Sequence, residues 1–298
     1  MDEDSMLMKA ALIGQGQLGQ ELLMKIMNHN HSFILECVWT PVGDSCIQGL
    51  GKLNISCANS IEEVLNNEQI QLVFNTSYTG LGEFANKPDH RSTRRYIHLV
   101  PEMQGRGDFY GLLPELPQEC AHIQLVSPAA QAIVPLVAAL SQICLIQEAE
   151  VISDIPSKAA DSEFRAHLDE YMSATELALT GIGGALQAKS MIFLNPDEES
   201  AVNRYIVHLK LEGGVDPSTV TLSLSQAAAE ISNDFPGYRL KYTPSYSGSI
   251  LTFMIEVRSW SKPLSQDYGH MDLLTSSACR AGERWVKQQQ ERGLYHGD

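Results

Sequence analysis

Over the first 125 residues, short apolar runs alternate with amphipathic stretches. LMKAALI (7–13) and FILECVW (33–39) are near-continuous apolar runs, as strands buried on both faces require, while QLGQELLMKIMN between them carries apolar residues at helical spacing. Ser60 and Glu63 in SIEEVL have capping-box spacing at the start of a further helix, and QLVFN, RYIHLV and HIQLV read as more buried strands. Strands alternating with helices predict a parallel sheet covered on both faces. Beyond residue 130 or so the pattern changes. After a helix beginning near Ala129, the runs EVISDI, SMIFL, YIVHLKL, YRLKY and ILTFMIEV are longer and more alternating, which predicts a mostly antiparallel sheet. Only two helices interrupt them, FRAHLDEYMSATELAL and, behind Pro217 in a first-turn position, STVTLSLSQAAAEISNDF. The amphipathic LLTSSACRAGERWVKQQQ closes the pattern.

Composition narrows the function classes. Lys and Arg total 21 against 36 Asp and Glu, a net charge of −15 that repels phosphate backbones and anionic lipid, so neither nucleic acid nor a membrane is an expected partner. The opening MDEDSMLMKA has the wrong charge and length for a secretory signal, and a cytoplasmic location is expected. Six cysteines lie far apart without CxxC spacing, which suggests neither a metal site nor a disulfide framework.

Candidate chemistry begins at IGQGQLGQ. Gly14, Gly16 and Gly19 match GxGxxG directly after a strand and at the opening of a helix, the context in which that motif binds a dinucleotide. The first glycine permits the tight turn, the second lets the backbone approach a pyrophosphate, and the third lets helix and strand pack closely. Gln15, Gln17 and Leu18 complete the loop. The second strand ends in CVWTPVGD, with Thr40 where an acid would meet the adenosine ribose, so NAD and NADP both stay open. Backbone from Asn75, Thr76 and Ser77, after QLVF, is expected beside the nicotinamide.

The second half resembles a known family. SDIPSKAADSEFRAHLDEY, IGGALQAKSMIFLNPDE, FPGYRLK and YGHMDLLTSSA are similar, in order and spacing, to segments of acylating acetaldehyde dehydrogenases, and IGQGQLG and VSPAAQAIVPLVAALSQ fit the same family. The resemblance implies a Rossmann domain over 1–130, an α+β substrate and dimerisation domain over 131–270 like that of glyceraldehyde-3-phosphate and semialdehyde dehydrogenases, and a C-terminal helix over 271–298 packing back on the first. It implies a homodimer or larger homo-oligomer acting on a small molecule. Members of this family attack an aldehyde with a cysteine thiolate, pass hydride to NAD and transfer the acyl group to coenzyme A.

The cysteine of that family lies in a motif similar to VTCGGQATIP, and its position here is Pro128. Proline carries no nucleophile, and Ser127 beside it lacks the base a serine needs; Ser127 as N-cap with Pro128 in the first turn is the structural alternative. Other departures follow. His270 stands in GHMDLLT where the family has an amide near the nicotinamide, and His167 in RAHLDE where it often has another. A histidine there is a candidate proton donor to a carbonyl oxygen or imine nitrogen, with Asp272 as its orienter or as a helix cap. Arg165 matches the family's arginine and is a candidate substrate clamp, or an ion-pair partner for Asp169. Asn195 and Glu198 fall in the family's NPAE-like segment, Glu198 as a candidate general acid and Asn195, with Ser127, as a candidate substrate contact.

Three readings follow. The favoured expectation is an NAD(P)-dependent oxidoreductase that reduces an imine or carbonyl by direct hydride transfer without an acyl intermediate, because the glycine turn is intact and the thiol position is proline. The alternatives are a coenzyme A-dependent acylating aldehyde dehydrogenase with a displaced nucleophile, and a dehydrogenase-like scaffold that has lost catalysis.

Overall fold

The computed structural model describes residues 7–14, 16–29, 31–40, 55–78, 94–101, 108–110, 121–197, 202–214, 216–260 and 269–291. The chain divides into two compact units, one formed by Met1–Leu125 with Thr275–Asp298 and the other by Val126–Leu274.

In the first unit β1 (Met8–Ile13) leads through α1 (Gly16–Asn28) to β2 (Phe33–Trp39), followed by β3 (Ser56–Cys57), α2 (Ile61–Asn66), β4 (Ile70–Asn75), β5 (Arg95–His98), β6 (Asp108–Tyr110) and β7 (His122–Leu125). The seven strands lie in the order β3-β2-β1-β4-β5-β7-β6, and every pairing is parallel. The apolar runs are long because these strands are covered on both faces: Ala10, Ala11, Ile13, Leu72, Val73 and Phe74 are all fully buried. At α2 the Glu63 N–H donates to Ser60 Oγ at 3.1 Å, but the returning carboxylate accepts from Asn59 N at 2.7 Å, one residue earlier than capping-box spacing predicts. The last helix, α7 (Gly269–Glu291), supplies this unit with its residues from Thr275 on. Gly282 lies so close to the sheet that a Cβ would meet Phe33 Cε1 at 2.9 Å and Leu72 Cδ2 at 3.1 Å, Glu283 accepts from Ser32 N at 2.9 Å, and the Arg95 guanidinium sits 4.1 Å from the Trp285 ring.

The second unit runs from α3 (Pro128–Ser141) into β8 (Leu145–Pro156), a 3₁₀ turn (Ser157–Ala159), α4 (Ser162–Ala166), α5 (Leu168–Gly181) and β9 (Ala185–Asn195). It continues with β10 (Asn203–Glu212), α6 (Pro217–Asp234), β11 (Tyr238–Leu240), β12 (Ser245–Ser247), β13 (Ile250–Val257) and the first turns of α7. The sheet order is β11-β13-β10-β8-β9, with β12 also on β13. All pairings are antiparallel except β8 with β9, which the α4–α5 crossover joins in parallel. The single helix predicted across FRAHLDEYMSATELAL is broken in two at His167, whose φ of −121° is not helical, so that Leu168 opens a new helix. Alternation along β8, β10 and β13 buries Val151, Val207 and Phe253, while Ile152, Ile206 and Met254 on the other face stay half-exposed. Among the described residues no helix is long and apolar enough to cross a membrane, and no cluster of three or more His, Cys, Asp or Glu is placed to hold a metal ion.

Candidate functional site

In the first unit the glycine turn sits where the parallel strands end. Gly14 N donates to Trp39 O at 3.0 Å and Thr76 N donates to Ile13 O at 2.8 Å, so the ends of β2 and β4 flank the end of β1. Gly14 has φ +139°, and a Cβ there would lie 2.2 Å from Thr76 Oγ1 and 3.0 Å from Ser77 N. Gly16 also has positive φ (77°), and a Cβ on Gly19 would meet Thr76 Oγ1 at 3.0 Å. Gly14 and Gly19 thus let the end of β4 pack directly on the turn, and the amides that open α1 have no intrahelical acceptor. Thr76 Oγ1 is buried without a hydrogen-bond partner among the described residues. Asn75 Oδ1 accepts from Ser77 N at 2.9 Å and so holds the bend after β4, and Thr40 is buried at the end of β2. Leu18 is packed into the core side of α1 together with Gly19, and Gln17 lies on the same helix. Gln15 lies outside the described residues.

In the second unit Ser127 and Pro128 together form one helix start. Ser127 caps α3: its Oγ accepts from Ala130 N at 3.1 Å. It also lies 2.6 Å from Thr175 Oγ1, and the Thr175 hydroxyl donates to Tyr171 O at 2.8 Å, so the Ser127 proton must point to Thr175. The hydroxyl, 3% exposed, has its proton and one lone pair committed to holding the helix start. Pro128 fills the first helical position, where its missing N–H costs nothing.

His270, near the start of α7, is 1% exposed. Its backbone N–H donates to Asn203 Oδ1 at 2.6 Å and its Nδ1 lies 3.3 Å from the same oxygen, while its ring is tilted against Phe164 at 5.6 Å. Nε2 has no partner among the described residues, nor does Asn203 Nδ2. Burial pushes the ring down from its ordinary 6.5 to about 4, opposed by the carboxylate of Asp161. Gly269 permits this approach, because a Cβ there would lie 2.5 Å from Val257 O and 2.9 Å from Asn203 Oδ1. Asn203 was invisible to sequence reasoning: nothing in VNRYIVHL marks the strand's first residue, and only the pairing of β10 with β13 brings it under α7. Asp272 does not orient His270; its Oδ2 accepts from Trp260 N at 2.8 Å and Ser259 Oγ at 2.9 Å.

The remaining candidates are spent on local structure. Arg165 donates to Ala160 O (2.7 Å), Ser157 O (2.6 Å) and Ser157 Oγ (2.8 Å), clamping the 3₁₀ turn instead of pairing with Asp169. His167 Nδ1 lies 3.4 Å from Glu170 Oε1 at the helix break. Asn195 Oδ1 accepts from Asp197 N at 2.9 Å, a turn closing β9, and Glu198 lies outside the described residues. Burial first, then neighbouring acids, push the Cys37 thiol up to about 11, and burial also raises Cys144; Cys46 and Cys120 lie outside the described residues.

A Rossmann-like parallel sheet followed by a mixed-sheet unit is the scaffold of a dehydrogenase. Residues 128–264 match the family described as prokaryotic acetaldehyde dehydrogenase, dimerisation. Over nearly the whole chain the sequence is similar to curated acetaldehyde dehydrogenases. That of Pseudoalteromonas translucida is 30% identical over 289 residues, covering 94% of this chain and 95% of the relative. That of Roseiflexus sp. is 30% identical over 294 residues, covering 94% and 95%, and that of Alkalilimnicola ehrlichii is 27% identical over 294 residues, covering 96% and 97%. The chain belongs to the acetaldehyde dehydrogenase family.

That membership corrects the expected function. The expected reduction of an imine or carbonyl without an acyl intermediate, built on Pro128, the intact glycine turn and the two histidines, is overturned by likeness to acetaldehyde dehydrogenases over some 290 residues. The acylating alternative is the better supported of the three readings.

Proposed function

We propose that the chain is a nicotinamide-dependent aldehyde dehydrogenase that converts a short-chain aldehyde and a thiol into a thioester, with coenzyme A as acyl acceptor and with the attacking thiol displaced from residue 128. The observation that carries this reading is the likeness to acetaldehyde dehydrogenases across 94% or more of the chain. The positive φ of Gly14 and Gly16, the helix that opens directly after them and the Thr76 hydroxyl without a partner among the described residues fit a dinucleotide. When bound, that cofactor supplies the hydride acceptor. Gly14, Gly16 and the first amides of α1 would hold the pyrophosphate, Thr40 would face the adenosine ribose, and Asn75–Ser77 would shape the nicotinamide end.

Thiolate adds to the aldehyde carbon and the oxygen takes a proton, giving a thiohemiacetal; loss of hydride from that carbon and of the hydroxyl proton leaves the thioester. His270 Nε2, a lone pair without a partner among the described residues, is the group we assign to take the hydroxyl proton; burial that pushes the ring down to about 4 keeps it neutral and also makes it a weak base, which would hand that proton on rather than keep it. The test is steady-state formation of reduced cofactor from acetaldehyde with and without coenzyme A, before and after alkylation of the protein thiols. Coenzyme A-dependent turnover is the expected result. The reading fails if no reduced cofactor forms with either NAD or NADP. Loss of turnover on alkylation shows that a thiol is needed; a Cys120→Ala protein inactive before alkylation makes Cys120 the attacking thiol, and one that turns over but is still inactivated by alkylation excludes it.

We also propose a homodimer built on the open face of the second sheet. Met191, Ile152, Ile206 and Met254 stand in register across β9, β8, β10 and β13 as an apolar stripe. Asp154, Arg204 and Glu256 border it on one side and Lys189, Glu150 and His208 on the other, so each border holds both signs of charge. A two-fold partner presenting the same stripe would bury it, in keeping with the dimerisation family matched over these residues. Ile206→Asp is expected to yield monomers by sedimentation; an unchanged dimer would place the interface elsewhere.

A further inference from the structure

We infer that Asn203 is a positioning residue that fixes the protonation pattern of His270, making Nε2 a proton acceptor and not a donor; this rests on the aldehyde-oxidising reading above. The starting point is the one donor whose identity is not open to choice. The backbone N–H of His270 can only donate, so the Asn203 atom 2.6 Å from it is the amide oxygen and the side chain cannot be flipped. The same Oδ1 lies 3.3 Å from His270 Nδ1, and two acceptors do not bond, so Nδ1 carries the ring proton. In a neutral ring that leaves a bare lone pair on Nε2, which is buried and has no partner among the described residues. Burial, with the ring packed on Phe164, holds the ring neutral at neutral pH against one opposing charge: Asp161 favours protonation, and its carboxylate caps α4 by accepting from Phe164 N at 2.7 Å. On α7 itself, Asp272 is turned to Ser259 and Trp260. Oxidation needs a base for the hydroxyl proton, whereas carbonyl reduction needs an acid; this tautomer serves the first.

The test has an arm that does not depend on turnover. Nitrogen-15 NMR of the histidine rings in the whole protein is expected to show His270 as the Nδ1–H tautomer, neutral down to about pH 5, and Asn203→Leu is expected to abolish that preference. An Nε2–H signal in the wild-type protein overturns the inference whatever the enzyme's activity. In the activity arm, Asn203→Leu is expected to lower kcat about 100-fold with the dinucleotide affinity unchanged, and to add nothing to the loss in His270→Ala. Asn203→Asp keeps the acceptor oxygen and the helix contact but adds a negative charge, so the ring protonates more readily and the acid limb of kcat/KM moves to higher pH by at least one unit. Unchanged pH profiles in an active Asn203→Asp protein, or additive losses in the double variant, overturn the positioning role. A wild-type protein that shows the Nδ1–H tautomer but makes no reduced cofactor from aldehyde instead defeats the proposed function and leaves the tautomer assignment standing.

Discussion

The glycine turn of the first unit and the histidine pocket of the second are built by opposite means. The turn is made of backbone from a short local stretch, packed so closely on β4 that a Cβ on Gly14 would lie 2.2 Å from Thr76 Oγ1. The pocket is made of side chains from β10, α4 and α7 that lie far apart in the chain, and it is held by one amide oxygen accepting two bonds. A backbone site is specified locally and tolerates no added atom; a side-chain site is specified by tertiary pairing and is tuned by single polar atoms.

Both units also bury a neutral histidine, and acid should strike them in parallel. Burial, then the neighbouring His122, push His98 down to about 3, and burial pushes His270 down to about 4, both from 6.5. The unfolded chain therefore binds these protons first, and stability that is whole above pH 6.5 or so is lost as the pH falls toward the folded values. Urea unfolding should show about 4 kcal/mol lost between pH 7 and pH 5, on the order of 2 kcal/mol for each ring. His98→Phe and His270→Phe should each remove one share of that slope; a slope untouched by either would mean the rings are not neutral when folded.

Gly14→Val comes next in size. A branched side chain at φ +139° must displace Thr76, and dinucleotide affinity by calorimetry should fall at least 100-fold, about 3 kcal/mol. Near-normal affinity would show that the turn yields as freely as a side-chain site. Ser127→Ala should cost about 1–2 kcal/mol in thermal unfolding through loss of the α3 cap, with cofactor affinity unchanged. The smallest effect is expected from Thr40→Asp, which offers a carboxylate to the ribose and should favour NAD over NADP by about tenfold in relative affinity.

Legibility in the sequence followed the same division. The strand ends, the glycine turn and the capped start of α3 are local patterns, and Gly14, Gly19, Ser127 and Pro128 carry their physical reasons with them. The break at His167 was not legible, because apolar spacing continues across it and only the non-helical backbone of His167 separates α4 from α5. Asn203 was not legible either, since a polar residue opening a strand is unremarkable until its partner helix is known. The function was least legible, because the chemistry of single residues such as Pro128 and His270 points one way and the likeness spread over the whole chain points another.

The composition of the first unit carries a consequence for synthesis on the ribosome. Its sheet is complete once residue 125 is made, but the helical segment that brings Gly282 onto Phe33 and Leu72, Trp285 onto Arg95 and Glu283 onto Ser32 emerges only after the contiguous second unit. The second unit can close on itself while the first still exposes an apolar strip around Phe33 and Phe74. A nascent chain stalled before residue 275 should therefore bind chaperones through its earliest residues, reversing the usual order in which the N-terminal portion settles first.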